Sequence, residues 1–187
     1  MNHFATLEFP VSLILDTSLV EEAWRKATSE KHPDRVAGES KSDLIGEVNQ
    51  ARAILSDPVS RLDHWLTLRS PERTPDKSID PSLMDLFSEI DANLRNADSV
   101  LTRHKAATTA LSRALLTKEA VAAQLALQSN LQKITLGKQE IFDQFFHFEK
   151  LAEEGDFREA EKGLNQVKFL RKWESQCQER LLSLIEC

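Results

Sequence analysis

Residues 17–58 read TSLVEEAWRKATSEKHPDRVAGESKSDLIGEVNQARAILSDP, and this stretch decides the fold. Asp16, just ahead of it, can accept from the free amides of a first helical turn. Leu19, Ala23 and Ala27 follow at four-residue spacing, with Val20 and Trp24 beside them, which predicts one face of a helix over about 17–31. Pro33 stops it, because its ring disfavours helical geometry in the residue before it. After a polar loop, Leu44, Val48, Ala51 and Leu55 form the stripe of a second helix over about 42–55. Two helices of this length on a short loop pack as an antiparallel hairpin. Asp57 and Pro58 then read as N-cap and first residue of a shorter helix carrying Leu62, Trp65, Leu66 and Leu68.

Working outward, Phe4, Leu7 and Phe9 make a short apolar stretch on the N-terminal side, broken by Pro10. On the other side, residues 70–81 (SPERTPDKSIDP) are proline-rich with almost nothing to bury, the best domain boundary in the chain. The expected domains are therefore 1–75 and 76–187. Beyond the boundary, Leu83, Phe87, Ile90, Leu94, Ala97 and Leu101 recur in steps of three and four. Residues 105–152 are nearly all helix formers, with Leu111, Leu115, Val121, Leu125, Ile134, Ile141, Phe145 and Phe148 as apolar surface. Interruption at Thr117 or Gly137 is left open by the pattern. Gly155-Asp156 ends this run and caps a last helix, whose stripe is Ala160, Leu164, Val167, Leu170, Trp173, Cys177, Leu181 and Leu184. The fold class is all-α: an N-terminal helical hairpin and a C-terminal antiparallel bundle of three, or at most four, helices.

Composition excludes several functions. Hydrophobic residues make up 41% and charged residues 29%, an ordinary globular balance. A net charge of -6 argues against a nucleic-acid footprint, which needs clustered basic surface. No stretch approaches the roughly 20 apolar residues of a membrane helix, and no secretory or transit signal opens the chain. A cytoplasmic location is expected. Cys177 and Cys187 are too few for a disulfide framework or thiolate metal site, and the histidines show no metal-ligand spacing. No nucleophile is paired with a base, so neither a metal, a cofactor nor an enzymatic activity is expected.

His32-Pro33-Asp34 in the loop of a helical hairpin resembles the signature of J-domain co-chaperones. Trp24-Arg25-Lys26 precedes it at that family's spacing, and Asn49-Gln50-Ala51 with Leu55, Asp57 and Pro58 follows. The likeness extends to the HscB-type co-chaperones of iron–sulfur cluster assembly. Phe4, Leu7, Leu15 and Asp16 match that family's opening; Ala51, Leu55, Pro58, Arg61, Trp65, Leu66 and Leu68 match its next pattern. Leu83-Met84 resembles its Leu-Met pair, and Lys168-Phe169-Leu170-Arg171-Lys172 its closing Phe-Leu helix. The chain departs from the pattern in three places. Arg52 stands where the family usually has an aromatic residue; the first hairpin helix is charge-balanced rather than basic; and Ser88 and Asn93 replace acids after the Leu-Met pair.

The resemblance implies two partners. A DnaK/HscA-type ATPase chaperone would be engaged by His32, Pro33 and Asp34, with Arg25, Lys26, Lys31 and Arg35 around them. An IscU-like iron–sulfur scaffold protein would be held by Leu83, Met84, Phe87, Asp91 and Phe169. Against the first stands a plain helix-ending turn with a solvated face, its charges paired to Glu21, Glu22 and Glu30. Against the second stands periodicity, which puts Leu83 and Phe87 on the buried stripe and leaves Phe169 ambiguous. A J-protein of similar architecture serving a different client is the alternative reading. An enzyme using His32 and Asp34 as an acid–base pair ranks last, for want of any pocket-forming partner.

Overall fold

The computed structural model describes residues 1–30, 41–72 and 80–186, and no strand occurs among the described residues. Eight α-helices follow in order among them: α1 (His3–Thr6), α2 (Thr17–Glu30), α3 (Lys41–Ser56), α4 (Pro58–Arg69), α5 (Met84–Ala106), α6 (Ala110–Asp143), α7 (Phe145–Glu153) and α8 (Arg158–Ile185). A 3-10 turn, Pro81–Leu83, opens α5.

The chain divides into two compact units. The first is Met1–Asp76 together with Phe142–Leu164, and the second is Lys77–Ile141 with Asn165–Cys187. The sequence places a boundary at 75/76; the structure adds residues 142–164 to the N-terminal unit.

In the first unit, caps set the helix starts. Asp16 Oδ1 accepts from the Ser18 amide at 2.8 Å, and Asp57 Oδ2 from the Ser60 amide at 3.0 Å, with Pro58 as first helical residue. The short apolar opening is in fact helical: Asn2 Oδ1 accepts from the Phe4 and Ala5 amides and starts α1. Four residues are too few to show a period. Trp24 bonds Asn49 and Glu21 bonds Arg52, so α2 and α3 run antiparallel. Their core is Val20, Val48, Ala51 and Leu55, packed with Phe4, Leu13, Leu62, Trp65 and Leu66. Leu19 and Leu44, expected on the buried stripes, are exposed. The phase is one residue off on α2, where Val20 points inward instead. Leu13 is tied down where its amide donates to Glu149 of α7 at 2.6 Å.

The second unit is a three-helix bundle. Arg103 pairs with Glu119, Asn93 with Asn130 and Glu89 with Lys133, pairings that set α5 antiparallel to α6. Lys138–Glu174 and Gln124–Leu184 contacts make α6 antiparallel to α8, while Phe87–Trp173 and Asp98–Arg180 make α5 parallel to it. α6 runs unbroken through Thr117 and Gly137; the break comes at Gln144. A methyl group on Gly137 would sit 3.4 Å from the Leu170 side chain of α8, an ordinary contact distance. The face of α6 in the core is Leu116, Ala120, Ala123, Leu127, Asn130, Ile134 and Ile141, and the expected Leu111, Leu115, Val121 and Leu125 are exposed. Gly155, at φ +80°, ends α7, and Asp156 caps α8 by accepting from the Arg158 amide at 3.0 Å. Arg158 also hydrogen-bonds the Asp156 side chain, which holds that carboxyl down at about 2.

Candidate functional site

The described residues among those singled out from the sequence lie in both units. Lys31, His32, Pro33, Asp34 and Arg35 lie outside the described residues. Arg25 and Lys26 are exposed on α2. Lys26 reaches Glu8 at 3.7 Å. Glu21 is engaged elsewhere, accepting from Arg52 Nε at 2.6 Å. The Arg52 guanidinium lies 4.3 Å from the Trp24 ring centroid, and the Trp24 indole N–H donates to Asn49 Oδ1 at 2.8 Å. These four side chains clamp α2 against α3.

Arg61 has an internal role. It is buried, and its guanidinium donates to the Leu55 carbonyl at 2.7 Å, satisfying an open acceptor near the end of α3. Burial lowers its pKa, partly offset by the nearby Asp57 carboxylate. The spacing Leu55, Pro58, Arg61 therefore fixes the corner between α3 and α4.

In the second unit, Trp173 of α8 is the platform of the client-binding candidates. Phe87 of α5 meets it in a tilted arrangement at 5.5 Å between ring centroids, and Phe169 at 6.1 Å. Trp173 itself is buried, whereas Phe87 and Phe169 are both half-buried, so the two residues meet over one floor and keep an open edge. Met84 and Asp91 lie three residues before and four after Phe87, on the same side of α5. Met84 is 45% exposed. Asp91 pairs with Arg95 at 2.8 Å, one turn on, and Leu83 lies half-buried in the turn that opens the helix. The geometry gives a small apolar rim on a fixed aromatic base, bordered by charge. Phe87 thus serves both readings at once, resting on the core and reaching the surface.

The histidines scattered in the sequence are partly gathered in space. The His3 amide donates to His64 Nε2 at 3.1 Å, and the two rings sit 4.6 Å apart. Burial lowers the pKa of both, and the nearby His3 charge lowers that of His64 further. The Cys177 thiol is pushed up to about 11 by burial and is unreactive there.

An antiparallel helical pair in one unit and a three-helix bundle in the other make a fold shared with solved HscB structures. The structure superposes on HscB from Vibrio cholerae with a TM-score of 0.64 over 96% of each chain, at 20% identity. It superposes on human co-chaperone protein HscB with a TM-score of 0.66 over 96% of this chain and 81% of that one, at 18% identity. In sequence, the chain is 32% identical over 78 residues to a co-chaperone protein HscB homolog of Shewanella baltica. It is also 32% identical over 101 residues to the corresponding homolog of Acinetobacter baylyi. Those matches cover 38% and 53% of this chain, and span about half the length of the curated relatives, 45% and 59%. No family model matches. The resemblance to HscB-type co-chaperones holds in fold over nearly the whole chain and in sequence over the aligned part.

Proposed function

We propose that this chain is an HscB-type co-chaperone of iron–sulfur cluster assembly, acting in the cytoplasm without catalysis of its own. Its N-terminal unit stimulates ATP hydrolysis by a DnaK/HscA-type chaperone. Its bundle brings that chaperone an IscU-like scaffold protein. The observation that carries this reading is His32-Pro33-Asp34 between two antiparallel helices in a chain with the HscB fold. Proline fixes the turn, so its neighbours bind at low ordering cost. Asp34 can make a charge-assisted contact with an arginine of the chaperone, while Arg25, Lys26, Lys31 and Arg35 steer the encounter. Leu83, Met84, Phe87, Asp91 and Phe169 form the client surface.

The neutral Ser88 and Asn93 beside that surface favour a second reading, in which the same architecture serves a different client. Single-turnover ATP hydrolysis by the chaperone tests the first arm. The parent chain accelerates it and His32→Gln, folded normally by circular dichroism, does not; equal stimulation by both removes the J-domain reading. Calorimetry against an IscU-like scaffold tests the second arm, and stimulation without scaffold binding leaves the different-client reading.

A further inference from the structure

The outward side of α6 is an apolar surface that the co-chaperone reading does not use. Leu111, Leu115, Leu125 and Leu136 are each 61 to 72% exposed. Positions 111, 115, 118, 122, 125, 129, 132 and 136 alternate steps of four and three, so they fall on one stripe along the helix. Lys118 is the sole charge on it, and residues 120–132 carry no charge at all, in a chain that is 29% charged. The opposite face of α6 already fills the bundle core. A helix apolar on both sides belongs in an interior, and one side of this helix lacks cover among the described residues.

We infer that this face is a dimer interface, covered by α6 of a second copy packed antiparallel. The stripe is complementary to itself in that arrangement. A two-fold axis between Ala123 and Gln124 sets Leu111 against Leu136 of the second copy, Leu115 against Gln132, and Lys118 against Ser129. At the centre the large Leu125 meets the small Ala122. Leu136 lines a shallow depression with Leu131, Gln132 and Thr135, where Leu111 of the second copy lands. A parallel alignment would instead stack Lys118 on Lys118, like charges at a desolvated seam. A charged partner protein would find almost nothing to pair with here, whereas a second copy meets a surface as neutral as its own. The stripe is about 38 Å long at the helical rise, and at a helix's width it buries roughly 500 Å² per copy, about 1,000 Å² in all. That is the lower bound of a specific interface, so the dimer is reversible.

Sedimentation equilibrium of the full chain, from low micromolar to several hundred micromolar, reads this directly. The weight-average mass rises with concentration toward twice the monomer. Leu125→Glu with Leu136→Glu holds it at the monomer at every concentration; should that variant lose helicity, Leu125→Ala with Leu136→Ala is measured instead and associates less than the parent. In a Cys187→Ser background, mixed Leu111→Cys and Leu136→Cys chains cross-link chiefly to each other. A parent chain that stays monomeric throughout, folded stripe variants that associate as the parent does, or preferred 111–111 cross-links would each overturn the inference.

Discussion

The guanidinium of Arg52 lies over the indole of Trp24, 4.3 Å from its centroid, while its Nε donates to Glu21 at 2.6 Å. An aromatic residue would fill this place by apolar contact; here a planar cation lies over the ring and is neutralised by Glu21. The clamp holds the two helices that bracket His32-Pro33-Asp34. Each part is modest, about 0.5–1 kcal/mol for an exposed cation–π contact and at most about 1 kcal/mol for the ion pair.

Arg52→Ala is therefore expected to destabilise the α2–α3 pair by about 1 kcal/mol, whereas Arg52→Tyr, which keeps a ring on Trp24, should lose less. Hydrogen exchange of the α2 and α3 amides measures this locally, which suits a chain of two units better than one global transition. Equal protection in the parent and Arg52→Ala would show that the clamp contributes nothing.

Most of the fold is legible because its punctuation is chemical: Asp16, Asp57-Pro58 and Gly155-Asp156 mark helix ends by capping and by a positive φ. Phase is where sequence reasoning failed. α6 is so rich in Ala and Leu that two opposite faces read equally as core, and Leu111, Leu115, Val121 and Leu125 fell on the wrong one. Nothing local distinguishes Leu115 from Leu116; only packing against α5 and α8 does. The candidate client surface was half legible. Periodicity drew Phe87 toward the interior and left Phe169 between faces, and Trp173 beneath both joins the two readings. The pairing of His3 with His64 spans 61 residues and left no pattern to read.

That histidine pair gives a pH dependence. Both groups have folded pKa values lowered from 6.5, chiefly by burial, so the unfolded chain binds protons more readily. The stability they contribute is complete above 6.5 and lost as pH falls from there through the lowered folded values. Protonating His64 at Nε2 also removes the acceptor for the His3 amide. Thermal unfolding between pH 7.5 and 5 should show a falling midpoint, with a shallower fall in His64→Gln. A parent that gains stability on acidification over this range would refute the assignment.

Asn130 lies fully buried on the core face of α6 and accepts from Asn93 Nδ2 at 3.2 Å, while its own Nδ2 finds no partner among the described residues. An unsatisfied buried donor costs about 1–3 kcal/mol, and a lone buried asparagine specifies helix register at the expense of stability. Replacing both, Asn93→Leu with Asn130→Leu, should raise the denaturant midpoint, while Asn93→Ala alone lowers it by leaving Asn130 wholly unpaired. Two midpoints from urea unfolding decide the matter, and a double variant less stable than Asn93→Ala would count against this account.

The client surface can be tested without confusing binding with folding, because Met84 and Phe87 differ in what they hold up. Met84 sits exposed in the first turn of α5, so Met84→Ala should change stability by less than about 0.5 kcal/mol. Phe87 rests on Trp173 at 5.5 Å, and its truncation leaves a gap over the platform, costing about 2 kcal/mol for a half-buried ring. Under the proposed function both residues touch the scaffold protein. Met84→Ala should then weaken scaffold binding about tenfold, equivalent to about 1.4 kcal/mol, at unchanged stability. Phe87→Ala should lower affinity and stability together. Leu182→Ala, an exposed leucine elsewhere on α8, should alter neither. Calorimetric titration with the scaffold, alongside urea unfolding of each variant, separates the outcomes. If Met84→Ala binds as tightly as the parent while Phe87→Ala loses stability alone, the aromatic cluster is core and the client surface lies elsewhere.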